Sequence, residues 1–295
     1  MTRIPSIDID SLIERHEALL LDAYGVLVHR DGPLPGAVEL IDTLNRLGKP
    51  YFLLSNTAAR LPEQAAERYR GFGLALEAER IITSGSLLAA YFADRGWVGK
   101  RCAVLGPEGS LTYVERAGGE IVPAHEDFEV LLIGDQVGFP FLETVDAALS
   151  RLIAKLDRDE PVALLLPNPD LIYPKASGFG VTSGAVALMI EAALKQRYPD
   201  RPDIGFTRLG KPEPAMFEEA ARRSGTRELV MIGDQIETDI LGANRFGIAS
   251  ALVAGGVAGS GFRASPSGAR PTYLLESIVP HRRLTLRPRT DTPTG

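Results

Sequence analysis

A chain of 295 residues with 45% hydrophobic and 24% charged side chains can bury a sizeable core, and its length suits about two domains. The formal net charge of −6 and pI near 5.4 argue against a nucleic-acid or anionic-membrane surface, and a single cysteine, Cys102, excludes an internal disulfide framework. No segment reaches the ~18 uninterrupted apolar residues of a membrane span and the start of the chain lacks a signal-peptide stretch, so the expected setting is cytoplasmic, with small-molecule partners.

Short leucine-rich or β-branched runs alternate with helix-like segments, the pattern of an α/β fold whose parallel strands are joined by crossover helices. The first run, Ala18-Leu19-Leu20-Leu21, ends in Asp22 and a tight Ala23-Tyr24-Gly25-Val26 turn. Open α/β sheets place their chemistry at strand C-terminal ends, where a carboxylate serves as covalent nucleophile or metal ligand. A helix is predicted from Pro35-Gly36-Ala37, with Val38, Ile41, Leu44 and Leu47 at helical spacing and Gly48 as its stop. The next strand, 51–54, runs into Ser55-Asn56-Thr57, which reads either as a cap for a helix starting near Leu61 or as a ligand-binding cluster.

A second α/β series occupies the middle of the chain and reads as able to fold by itself. Its predicted strands are 81–85, 102–105, 130–133 and 162–166, with a helix over Phe141 to Leu156. Cys102 falls within one of these strands, the setting of a buried, inert thiol. The first pattern then returns: Gly210-Lys211-Pro212 leads a helix from Ala215, and the apolar strand 229–232 runs into Gly233-Asp234. Leu252-Val253 gives way to Gly255-Gly256, 258–270 reads as a mobile loop, 272–278 as a last strand and turn, and 287–295 as a disordered tail.

Asp234 stands at a strand end and Asp239 follows five positions later. Hard oxygen donors of this kind suit Mg²⁺, which takes a few carboxylates and leaves positions for water and a substrate phosphate. Asp239 can equally favour the N-terminus of the helix that follows. Lys211, fixed between Gly210 and Pro212, is either a solvated turn lysine or a cation that keeps Asp22 ionised and neutralises a phosphoryl group. Ser55 can donate a hydrogen bond to a phosphate oxygen.

Asp22-x-Tyr24-Gly25, Ser55-Asn56, Lys211 and Gly233-Asp234-x-x-x-x-Asp239 together resemble motifs I to IV of the haloacid dehalogenase (HAD) superfamily. About 150 residues separate the second motif from the third, an insertion resembling the type II cap of the class IIA, NagD-like phosphatases. Ile82-Thr83-Ser84-Gly85, Pro167-Asn168-Pro169-Asp170 and Leu209-Gly210-Lys211-Pro212-Glu213-Pro214 resemble that branch too. The resemblance implies a Rossmann-like core of residues 1–58 and 207–295 with a parallel sheet, and an inserted α/β cap of residues 59–206. It implies that Asp22 is the nucleophile, forming an aspartyl-phosphate, and a Mg²⁺ ligand, with the Tyr24 backbone carbonyl as a second ligand. Ser55, with Asn56 nearby, binds the phosphoryl group, and Lys211 orients Asp22 and phosphate. Asp234 binds Mg²⁺ directly, and Asp239 does so through water or by holding Lys211. A small phosphorylated metabolite is the implied substrate, and cap-mediated homodimer contacts are common in that branch.

Tyr24 departs from the pattern. Phosphatases of the superfamily generally carry a second aspartate two residues after the nucleophile, where it protonates the leaving alkoxide and then activates water. A phenol, with an ordinary pKa near 10, is a poor base at neutral pH, and losing general acid–base assistance costs ~10²–10⁴ in rate. Tyrosine there resembles the carbon–halogen hydrolases of the superfamily, which need no metal; a third reading is a phosphate- and metal-binding module with weakened turnover. The retained Asp234/Asp239 pair favours phosphate, as does the absence of room for a cap in the about 30 residues between Asp22 and Ser55. Substrate choice falls to the cap, where Asp135, Asn168 and Asp170 are candidate specificity residues, although Pro-Asn-Pro-Asp is also ordinary turn chemistry. Gly134-Asp135-Gln136 echoes Gly233-Asp234-Gln235 but has Pro140 where the later loop has Asp239, so it reads as a strand end and not a metal site. His16, His29, His125 and His281 match no ligand spacing and read as surface or structural residues.

Overall fold

A computed structural model describes residues 3–29, 31–175, 178–253, 266–281 and 284. The chain divides into two compact units, one comprising Met1–Phe52, Tyr69–Leu76 and Ala221–Gly295, the other Leu53–Arg68 and Glu77–Ala220.

The first unit is built on strands in the order Ser6–Ile7, Tyr273–Leu275, Ala249–Val253, Leu229–Gly233, Ala18–Asp22 and Tyr51–Ser55, the last of which crosses into the second unit between Phe52 and Leu53. The strand Ala18–Asp22 is buried at every position, which is why it reads as a continuous apolar run and does not alternate. It pairs in parallel with Leu229–Gly233, Leu21 opposite Ile232, so Asp22 and Gly233 emerge side by side. The chain continues from Asp22 to one side of this strand and returns later on the other, making the Asp22 strand a topological switch point, the position at which open α/β sheets bind ligands. The predicted helix is present as Ala37–Leu47, buries Ala37, Leu40, Ile41 and Leu44, and stops at Gly48 in the left-handed region, φ +62°.

The second unit has its own five-stranded sheet, ordered Thr207–Arg208, Ala163–Leu166, Val130–Ile133, Arg101–Leu105 and Glu120–Val122, with every pair parallel. Helices Phe141–Leu156 and Ser183–Arg197 cover it, burying Val145, Ala148 and Leu152, and Val186, Ile190 and Leu194, in one core cluster. The antiparallel pair Ile172–Pro174 and Phe179–Val181 stands apart from that sheet.

Two expectations are corrected. The strand predicted over 81–85 ends at Thr83, because Gly85–Leu87 closes a 3₁₀ turn in which Ser86 Oγ donates to Thr83 C=O at 2.7 Å. It also lies outside the five-stranded sheet: Ile81–Thr83 pairs with Leu53–Ser55. The final strand, Tyr273–Leu275, lies within the short strand and turn expected over 272–278. The predicted loop falls largely, and the predicted tail wholly, outside the described residues. Among the described residues no helix is long and apolar enough to cross a membrane.

Candidate active site

In the first unit, Asp22, Asp234 and Asp239 form one cluster, each offering a carboxylate oxygen within 4.8 Å of the others, and all three are buried. At that separation each pair of like charges repels by about 3 kcal/mol or more for an effective dielectric near 20. A divalent cation offsets such repulsion, and an all-oxygen, all-anionic donor set matches the preference of Mg²⁺.

Three local features build the cluster. Asp22 is the last residue of its strand, and Asp234 follows the neighbouring strand. Gly25, at φ +88°, presses its backbone on the Asp234 carboxylate; a Cβ there would lie 2.2 Å from Asp234 Oδ2. Asp239 returns to the strand end through a π-helical turn, Ile236–Ile240, in which Ile240 N–H donates to Gln235 C=O at 3.3 Å. A Cβ on Gly233 would meet Asp239 Cβ at 2.3 Å, so only glycine admits that return. Asp239 was expected at the start of the following helix, Leu241–Phe246; it lies in the turn before it, and its Oδ2 accepts from Gln235 N–H at 3.2 Å. π-turns are frequent at functional sites because they re-aim a side chain within an otherwise helical path.

Tyr24 lies between Asp22 and Gly25, is 38% exposed, and forms a backbone bridge with Val28. Gly25→Ala is expected to cost about 1–3 kcal/mol of stability from the left-handed backbone alone. It should also weaken Mg²⁺ binding about 10–100-fold by calorimetry, by displacing a carboxylate of the donor set.

In the second unit, Ser55 ends its strand half-buried, its C=O accepting from Ser84 N–H at 3.0 Å. The Ser55-Asn56-Thr57 cluster does not cap the next helix, Pro62–Gly71: Leu61 N–H donates to Gln64 Oε1 at 3.1 Å, and Thr57 Oγ1 accepts from Ala59 N–H at 3.3 Å. Asn56 and Lys211 are buried together. Asn56 Oδ1 accepts from Lys211 N–H at 2.7 Å, and Asn56 Nδ2 donates to Lys211 C=O and to Asp170 Oδ1, both at 2.9 Å. Lys211 Nζ donates to Leu54 C=O at 3.2 Å. Asn168 joins the group through its Oδ1, which accepts from Asp170 N–H at 3.0 Å.

Asp135 follows the strand Val130–Ile133, whose parallel neighbour Ala163–Leu166 leads into the turn of Asn168 and Asp170. Burial pushes the Asp135 carboxyl above the usual carboxylate range, while the Val137 and Gln136 N–H groups and the Arg60 charge act in the opposite direction. Burial raises the Cys102 thiol to about 12, as expected for an inert core cysteine. His29, His125 and His281 are exposed; His16 is half-buried, and desolvation lowers its pKa. Gly25, Gly210 and Gly233 are legible in the sequence as turn and motif glycines, whereas their close approaches, to Asp234, Asn56 and Asp239 respectively, emerge only in the folded chain.

Two family models match the chain, one described as haloacid dehalogenase-like hydrolase over residues 19–120 and one as HAD-hydrolase-like over residues 208–280. A crystal structure of a possible sugar phosphatase of the HAD superfamily from Cytophaga hutchinsonii is 30% identical, with a TM-score of 0.79, over 95% of this chain and 100% of that one. This chain belongs to the haloacid dehalogenase-like hydrolases. Its similarity to other members extends over most of both partners. The dihydroxyacetone phosphatase of Corynebacterium glutamicum (strain R) is 28% identical over 88% of this chain and 88% of its own length. The acid sugar phosphatase of Staphylococcus aureus (strain MRSA252) is 27% identical over 83% of this chain and 89% of its own.

Proposed function

We propose that this HAD-like hydrolase is a phosphoric monoester hydrolase acting on small phosphorylated sugars or trioses, dependent on Mg²⁺ and working through an aspartyl-phosphate on Asp22. The buried carboxylate cluster of Asp22, Asp234 and Asp239 carries this reading, because three anions within 4.8 Å form a cation site and not a hydrophobic core. The dihydroxyacetone and acid sugar phosphatases among its relatives suggest the substrate class. In this reading residues 1–58 and 207–295 are the catalytic core, and residues 59–206 the cap that selects the leaving group.

A carboxylate oxygen of Asp22 attacks phosphorus, the ester P–O bond breaks, and the leaving oxygen takes its proton from water. A water oxygen then attacks phosphorus, its proton passes to solvent, and the aspartyl P–O bond breaks, restoring Asp22 and releasing inorganic phosphate. Ser55 donates a hydrogen bond to the phosphoryl oxygens, and the Lys211 ammonium neutralises charge there. Bound Mg²⁺, held by Asp22, the Tyr24 carbonyl, Asp234 and Asp239 directly or through water, supplies further charge neutralisation. Tyr24 supplies no base, so substrates whose leaving group needs little protonation, aryl and acyl phosphates, react fastest.

Tyr24 also motivates the second reading, carbon–halogen hydrolysis, in which halide leaves without a proton. Product release from p-nitrophenyl phosphate, dihydroxyacetone phosphate and 2-chloropropionate, each with Mg²⁺ or with EDTA, separates the two. Phosphate release abolished by EDTA is expected; chloride release insensitive to EDTA would establish the rival. Mg²⁺ binding by calorimetry without turnover of any substrate would mark a binding module.

A further inference from the structure

The turn Pro167-Asn168-Pro169-Asp170 invites assignment to substrate contact, but its hydrogen bonds point inward. An asparagine amide has two donor hydrogens. Both of Asn56's are in use, one on Lys211 C=O and one on Asp170 Oδ1, each at 2.9 Å, while its Oδ1 accepts from Lys211 N–H at 2.7 Å. Asn56 thus holds both peptide groups of a single residue, as a neighbouring β-strand would, and can donate to a phosphate only by releasing one of them. The clamp sets the position of the Lys211 backbone, from which the ammonium reaches Leu54 C=O.

Asp170 is itself held. Its N–H donates to Asn168 Oδ1, and its C=O accepts from Thr182 Oγ1 and from Gly184 N–H, at the start of the helix Ser183–Arg197. Ser183 Oγ donates to Asn168 C=O at 2.9 Å. The approach is close throughout: a Cβ on Gly184 would lie 2.4 Å from the Asp170 and Pro169 carbonyl oxygens, and one on Gly210 would lie 2.6 Å from Asn56 Oδ1 and Pro167 O. Neither glycine tolerates a side chain without moving the turn.

We infer that Asp170 and Asn56 are positioning residues, a brace running from the start of the helix Ser183–Arg197 through Asp170 and Asn56 to the Lys211 backbone. The inference rests on Lys211 serving phosphoryl transfer as proposed above. The Lys211 N–H donor on one side of the Asn56 amide and the Lys211 C=O and Asp170 acceptors on the other fix it in one orientation, so it cannot flip and exchange its donor and acceptor. The brace acts on the phosphoryl end, so its loss affects every substrate alike, whereas loss of a specificity contact affects some and spares others.

The experiment measures kcat and KM for p-nitrophenyl phosphate and dihydroxyacetone phosphate with Mg²⁺ in wild type, Asp170→Ala, Asp170→Asn, Asn56→Ala and the double variant Asp170→Ala/Asn56→Ala. Asp170→Ala should lower kcat by about 10–100-fold, equally for both substrates, the scale of a catalytic group displaced by about 1 Å. Asp170→Asn keeps a carbonyl acceptor and should stay within about threefold of wild type; a circular dichroism melting curve of Asp170→Ala within a few degrees of wild type excludes misfolding as the cause of its loss. The double variant should be no slower than Asn56→Ala alone, because both changes break one brace. Asp170→Asn as slow as Asp170→Ala, or a loss confined to the KM of one substrate, would overturn the inference, as would an Asp170→Ala enzyme indistinguishable from wild type. A wild type inactive on both esters would instead bring down the phosphatase reading beneath it.

Discussion

Asp22→Asn is expected to lower kcat for p-nitrophenyl phosphate by about four to six orders of magnitude, the range seen when a covalent nucleophile is removed. The amide matches the carboxylate in size and still accepts hydrogen bonds, so the strand Ala18–Asp22, buried at every position, keeps its packing. Its melting temperature in EDTA should therefore remain within a few degrees of wild type. What changes is chemical. An amide oxygen does not form an aspartyl-phosphate, and the cluster with Asp234 and Asp239 falls from three potential anions to two, so Mg²⁺ affinity by calorimetry should drop as well. Residual turnover above about a tenth of wild type would mean that phosphate leaves by a route not involving Asp22, and the mechanism proposed above would be abandoned.

The opposite sign is expected of Tyr24→Asp. Turnover of dihydroxyacetone phosphate, whose alkoxide leaving group needs a proton, should rise by about 10²–10⁴-fold, the usual contribution of a general acid–base group. p-Nitrophenyl phosphate should gain far less, because its leaving group is stable as the anion. Position 24 admits the change: Tyr24 is 38% exposed, and its backbone bridge to Val28 does not depend on the ring. Gly25 remains in place to hold the turn against Asp234. The measurement is the ratio of kcat/KM for the two esters, which isolates leaving-group assistance from changes in Mg²⁺ binding common to both. An unchanged ratio would show that Tyr24 is not where general acid catalysis is missing.

The local elements were legible because their causes are local. The helix Phe141–Leu156 forms between its predicted ends, since one apolar face recurs over sixteen residues and Pro140 fixes its start. The Leu229–Gly233 strand is recognisable as an apolar run ending in glycine and aspartate. The misread segment, 81–85, has a different origin. Ile81 and Ile82 are good strand formers, but the Thr83 and Ser86 hydroxyls exchange hydrogen bonds with one another's backbone and close a turn, a competition that propensity does not register. Partner choice was also hidden, because nothing within Ile81–Thr83 states that it pairs with Leu53–Ser55 and not with the strands that follow it.

The same division runs through the candidate site. The available chemistry is written in the sequence: Asp22, Asp234 and Asp239 at strand ends or just beyond them, Lys211 between glycine and proline, and Tyr24 two residues after Asp22. Those are properties of a few adjacent residues. Which groups meet depends on how the strands pair and pack. The pairing of Leu21 with Ile232 sets Asp22 beside the strand that leads to Asp234, and the π-turn folds Asp239 back onto Gly233. Asn56 is committed to Lys211, 155 residues away in the chain, and to Asp170, 114 away. Hydrogen-bond partners at such separations are chosen by sheet register and close packing, and neither leaves a mark within either short motif.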